Sequence, residues 1–116
     1  KKRNTQIKFK SFLINHGHIK ASAYVFEKIA YLSDCNGIDK RNHKDLRNLK
    51  YLIIDCLKIN AHPSHFNLNQ AIKISKMLNP RKTVLTNLHT DLDYNFLKKN
   101  LPSNIIPAYD GITLNV

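Results

Sequence analysis

The chain has two cysteines, Cys35 and Cys56, a single glutamate, Glu27, and no apolar run near the ~18 residues that a membrane span requires. Without such a run, a soluble, cytoplasmic protein with no membrane partner is expected. Two cysteines far apart and in no metal-ligand spacing predict reduced thiols, not a disulfide or a zinc site. Repeats, low-complexity tracts and linkers are also missing, so residues 1–116 are expected to form a single domain. The chain opens Lys1-Lys2-Arg3 without a methionine, and no long apolar segment follows, which argues against a secretory signal. The same opening is compatible with a piece of a longer protein.

Positive charge is abundant. Lysine and arginine number 19 against 8 acids, a net +11, and residues 1–50 hold 12 of the bases against 4 acids. Such a balance can mark a face for nucleic acid or other phosphates. It can equally follow from an AT-rich coding sequence, which the many asparagines and isoleucines and the lone glutamate also suggest. No recognised nucleic-acid motif is present, and aromatics are not interleaved with the bases as a stacking platform needs.

Hydrophobic patterning gives the elements. "IKFKSFLIN" (7–15) reads as a strand, and "AYVFEKIAYLSD" (23–34) as two short strands around Glu27-Lys28. Residues 39–50 are polar and predict a loop with a helical turn. "YLIID" (51–55) is a continuous apolar run, as in a strand covered on both faces. Asn67 suits a helix N-cap, with Leu68, Ala71, Ile72, Ser75 and Leu78 at helical spacing up to Asn79-Pro80. "KTVLT" (82–86) predicts another buried strand, and Asp93 a cap for a helix through Tyr94, Leu97 and Leu101. The tail "IIPAYDGITLNV" predicts a terminal hairpin turning at Asp110-Gly111. The class is therefore α/β, at the border of α+β, with helices packed on a sheet.

Polar groups collect where strands end. The first strand runs into Asn15-His16-Gly17-His18, the third into Ser33-Asp34, and the fourth into Asp55 with His62 and His65 beyond it. The fifth runs into Asn87, His89 and Asp91. In open α/β sheets, ligands sit at the carboxyl ends of strands. Converging imidazoles and carboxylates would suit Zn²⁺, Mn²⁺ or Fe²⁺. Each residue also has a plain reading: His16 as a turn residue, Asp34 in an Asx-turn, Asp55 capping a loop, His62-Pro63 as turn chemistry.

Taken in order, "HG", "IAYLSD", "LIIDCL…AHPSHFNLNQAI", "TVLTNLHTDLDY" and "LP…PAYDGITL" resemble the carboxyl-terminal half of metallo-β-lactamase-fold hydrolases. The branch is that of the phosphoribosyl cyclic phosphodiesterase of phosphonate breakdown. The resemblance spans His16 to Val116 and implies half of an αββα sandwich, a mixed sheet with helices on one face. It also implies a centre of two divalent ions, Mn²⁺ or Zn²⁺, with His16 as a ligand and Asp34 bridging the metals. His65 would be the general acid toward the leaving group. The family's last histidine ligand follows the threonine ending the penultimate strand. That position is Asn87 here, which leaves His89 as the candidate. Asp55, His62, Asn87 and Asp91 would orient the ligands.

The family's His-x-His-x-Asp-His motif belongs to its amino-terminal half and is absent. The chain is thus expected to be the carboxyl-terminal part of such a domain, with an apolar sheet face left for an amino-terminal half or a second copy to cover. The implied reaction is attack of a metal-bridging hydroxide on a phosphodiester of a phosphorylated small molecule or nucleotide. Bases near residues 40–50 would help hold that substrate. The competing expectation is a non-catalytic basic module that binds nucleic acid or a protein partner. A third is a remnant without present function.

Overall fold

The structure is a computed structural model that describes residues 9–32, 34–58, 60, 63–89 and 92–115. Among these residues six strands form one sheet: β1 (Phe9–His16), β2 (Ile19–Phe26), β3 (Ile29–Leu32), β4 (Tyr51–Asp55), β5 (Lys82–Thr86) and β6 (Ile105–Pro107). Two α-helices, α1 (Leu68–Leu78) and α2 (Tyr94–Asn100), fill the last two crossovers, and a 3₁₀ helix over Lys40–Leu46 lies in the β3–β4 crossover.

Strand order in space follows order in sequence. β1–β2 and β2–β3 pair antiparallel, while β3–β4, β4–β5 and β5–β6 pair parallel. Helix α1 meets the sheet through the Ser75–Thr83 hydroxyl bond, and Leu97 of α2 belongs to the same core cluster as Leu52 and Ile105. Both helices therefore pack on one face, as right-handed parallel crossovers require. The fold class is therefore the expected mixed sheet with helices on one side. β1 runs in the same direction as β3, β4 and β5, so the carboxyl ends of these four strands share one edge.

The buried face can be followed strand to strand through Val25, Ala30, Leu52, Thr83 and Ile105, paired in that order. Ala71, Ser75 and Leu78 of α1 and Leu97 of α2 are buried as well. Helix α1 begins where expected. The Asn67 side chain accepts from the Gln70 N–H, and the Gln70 side chain accepts from the Asn67 N–H, both at 2.9 Å. This reciprocal box satisfies two N–H groups that a helix start otherwise leaves unmade. The helix ends at Asn79 in the left-handed region (φ 51°). Asp93 caps α2 by accepting from the Phe96 N–H at 2.9 Å.

The opposite face carries the row Ser11, Tyr24, Tyr31, Ile53, Val84 and Ile106 across all six strands. Tyr24 is 48% exposed and Tyr31 44%, and Leu13 on the same face of β1 is 61% exposed. An apolar row across a sheet is ordinarily buried by a second layer; here Val84 is 2% exposed, and it is the β1–β3 part of the face that lies open.

The tail departs from expectation. β6 joins the sheet beside β5, but among the described residues no strand follows the Asp110-Gly111 turn. The Tyr109 carbonyl accepts from the Ile112 N–H at 3.1 Å, and residues 112–115 pair with no strand. The Asp-Gly turn signal was genuine, but β6 is the sheet's last strand and takes its pairing from β5, in parallel.

Candidate active site

Asp55 ends β4 and is fully buried. The apolar run of that strand draws its last carboxylate inside, where burial pushes the Asp55 carboxyl above the ordinary range. Three donors oppose that shift. The Cys35 N–H reaches Asp55 Oδ2 at 3.1 Å, His65 Nδ1 lies 2.6 Å from the same oxygen, and Asn87 Nδ2 donates to Oδ1 at 3.2 Å. A carboxylate only accepts, so His65 carries its proton on Nδ1.

His65 sits in a loop sewn to the sheet by backbone bonds, from Phe66 N to the Cys35 carbonyl (2.8 Å) and from Leu57 N to the Phe66 carbonyl (3.0 Å). The His16 ring meets the His65 ring edge to face, centroids 4.8 Å apart. His16 Nδ1 lies 2.9 Å from the Ser64 carbonyl, which only accepts, so His16 is also protonated on Nδ1. Gly17, at φ +62°, permits the tight β1–β2 turn, and a Cβ there would stand 2.9 Å from Ser64 Cβ.

Asn36 fastens these loops together. Its amide donates to the Pro63 carbonyl at 2.9 Å, and its Oδ1 accepts from the Gly17 N–H at 3.2 Å. Its own N–H donates to the Asn15 carbonyl at 2.9 Å. Sequence reading missed this residue, although the Cys35-Asn36-Gly37 turn signal was visible. The local pattern suggests an Asx-turn at Asp34, but it is Asn36 that ties three segments together.

Asp34 is exposed and accepts from Asn87 Nδ2 at 3.1 Å. Asn87 stands just past β5 in the left-handed region (φ 61°) that asparagine tolerates. His16, Asp34, Asp55, His65 and Asn87 thus come together. His89 is exposed, with its N–H held by the Leu57 carbonyl at 2.7 Å. His62 and Asp91 lie outside the described residues. Cys35 and Cys56 are buried with no disulfide between them, and burial pushes the Cys35 thiol well above its ordinary range.

The donor chemistry of the described residues does not fit a metal centre. Among the described residues no three His, Cys, Asp or Glu side chains gather so as to hold a metal ion, and His16, Asp34 and His89 form no such set. At the position facing Asp34 and Asp55 stands an amide N–H, which has no lone pair to give. The arrangement instead provides a buried carboxylate, an oriented imidazole and a second imidazole against it, which is proton-transfer equipment.

The family described as "Beta-lactamase superfamily domain" matches residues 3–87. A solved diphosphatase from the PhnP family shares 31% identity at a TM-score of 0.92, over 95% of this chain and 44% of that one. Human tRNase Z, short form, shares 19% identity at 0.72, over 97% of this chain and 44% of that one. The metallo-β-lactamase-fold protein YhfI from Bacillus subtilis shares 17% at 0.75, over 91% and 48%. The latter two likenesses are of fold alone. No curated protein matches the sequence. The chain spans less than half the length of each of these solved structures.

Proposed function

The chain belongs to the β-lactamase superfamily, a superfamily of hydrolases, and from that premise we propose that it is the carboxyl-terminal portion of a hydrolase of phosphodiesters or diphosphates. The observation that carries the reading is the 2.6 Å contact between His65 Nδ1 and the buried Asp55 carboxylate. Asp55 fixes the tautomer and orientation of the ring and stabilises the imidazolium. The far nitrogen, Nε2, then delivers a proton to the departing alkoxide or phosphate oxygen. His16 packs edge-on against His65 and limits its rotation. Substrate, by this reading, lies along the shared carboxyl edge of β1, β3, β4 and β5.

Metal chemistry is typical of the superfamily, but the described residues bring together no donor set for a metal ion, so no step is assigned to a metal. The remaining reaction equipment would come from the portion that the longer relatives contain. That portion, or a second copy, would also cover the face of Tyr24 and Tyr31. The reduced thiols of Cys35 and Cys56 accord with a cytoplasmic site of action.

The test is hydrolysis of a phosphodiester and of a diphosphate by this polypeptide, alone and mixed with the amino-terminal portion of the PhnP-family diphosphatase. His65→Ala is assayed beside it. Hydrolysis that needs the mixture and disappears in His65→Ala supports the reading. Hydrolysis indifferent to His65→Ala removes the proton-transfer role.

One observation favours a second reading, a polyanion-binding module. Lys28, Lys50 and Arg81 line a cavity of about 440 Å³ with Asn48 and Leu49, and no carboxylate is among its lining residues. They precede β3, β4 and β5, so they lie at the opposite end of the sheet from Asp55. Oligonucleotide binding that weakens steeply with salt and is lost in Lys50→Glu/Arg81→Glu would support it.

A further inference from the structure

Asp34, Asp55 and Asn87 follow or end three adjacent parallel strands, so topology alone sets them side by side. Asp34 and Asp55 each aim Oδ1 at one atom, Asn87 Nδ2, at 3.1 Å and 3.2 Å. Neighbouring carboxylates repel, and Asp55, being buried, has little water to screen it. A hydrogen-bond donor shared by both offsets that repulsion. An amide nitrogen offers two N–H groups, one for each carboxylate, and it is the amide's nitrogen that faces oxygens which only accept. The left-handed backbone at Asn87 holds the side chain there.

We propose that the Asn87 side-chain amide takes the place of a cation, clamping Asp34 to Asp55 and closing this strand-end site to divalent metals. A side chain at position 87 that accepts instead of donating opens the site to a metal. The inference stands on this geometry and not on the hydrolase reading, so its test measures stability and binding rather than turnover.

The experiment compares the thermal midpoint of the whole chain with Asn87→Asp and Asn87→Gly, in EDTA and over a Mn²⁺ titration. Asn87→Asp swaps the NH₂ for oxygen at nearly constant shape and leaves three carboxylates together. Asn87→Gly removes the amide without straining the left-handed backbone. Both variants are expected to melt below wild type in EDTA. Asn87→Asp should then recover saturably with Mn²⁺, at concentrations at least ~10-fold below any that move wild type, a difference of ~1.4 kcal/mol in affinity. Should Asn87→Asp be unfolded in EDTA, folding on addition of Mn²⁺, read by circular dichroism, is the expected result. A saturable Mn²⁺ shift in wild type equal to that of Asn87→Asp would overturn the proposal. So would an Asn87→Asp protein that ignores Mn²⁺, or an Asn87→Gly protein as stable as wild type.

Discussion

His65 Nδ1 and Asp55 Oδ2 lie 2.6 Å apart, although the carboxylate is wholly buried at the end of a strand and the imidazole sits on a loop. The contact couples the folding of that loop to the sheet. Asp55 also accepts from the Cys35 N–H and from Asn87, so removing it takes an acceptor from three donors at once, of which Asn87 keeps its bond to Asp34. Asp55→Ala is expected to cost about 3 kcal/mol, since each buried group left unmade costs ~1–3 kcal/mol and part of the cost is relieved by relaxation. Urea denaturation measures it.

The pH dependence has a definite sign. The folded-state carboxyl of Asp55 is raised by burial. A raised group contributes stability that is fully present below its unfolded value, ~3.9, and lost as pH climbs through the folded value. Wild type should therefore lose stability relative to Asp55→Asn as pH rises above about 4. A wild type that gains stability relative to Asp55→Asn as pH rises would contradict the raised carboxyl. Thermal midpoints at a series of pH values give the comparison.

Gly17 and Gly111 separate strain from crowding. Both have positive φ, at +62° and +83°, but a Cβ at Gly17 would meet Ser64 Cβ at 2.9 Å while one at Gly111 meets nothing within 4 Å. Gly111→Ala should cost only the left-handed penalty, ~1–2 kcal/mol. Gly17→Ala should cost more and displace Ser64, loosening His16 from its carbonyl. Denaturation and the His16 ring resonances in an NMR spectrum report the two effects.

Ser75 of α1 shares a buried hydroxyl–hydroxyl bond with Thr83 of β5. Ser75→Ala leaves the Thr83 hydroxyl without that partner and should cost ~1–3 kcal/mol. Adding Thr83→Val to Ser75→Ala should recover much of this, because an apolar pair asks for no bond. A double-mutant cycle by denaturation decides it.

The half-exposed Tyr24 and Tyr31, cross-strand partners on the open β2–β3 part of the sheet, should drive self-association of the chain on its own. Tyr24→Lys/Tyr31→Lys is expected to sediment as a monomer at concentrations where wild type forms larger species, with the same far-ultraviolet spectrum. Equal sedimentation of both proteins would show that the face is not adhesive.

Much of the frame was written locally. Asn67, Gln70 and Asp93 cap helices through bonds spanning three residues, and the runs 51–55 and 82–86 are strands because their apolar residues leave no other place for them. The resemblance also brought attention to His16, Asp34, Asp55, His65 and Asn87, which do converge. The carboxyl edge they share follows from parallel strands joined by right-handed crossovers. The terminal strand was misread because a turn signal says that the chain reverses but not whether an open sheet edge awaits it.

What the sequence by itself determined, then, is the alternation of strands and helices and where both helices begin, since those depend on neighbours a few residues apart; β2 starts at Ile19, four residues before the apolar run at 23 suggests. Only the tertiary structure decided the chemistry of the site. Asn87 reaches Asp34 across 53 positions and Asp55 across 32, and Asn36 ties to Pro63 across 27. At such separations a side chain's partner is fixed by which strands lie side by side. The same asparagine that reads as a lost ligand in sequence is, in space, a donor between two carboxylates.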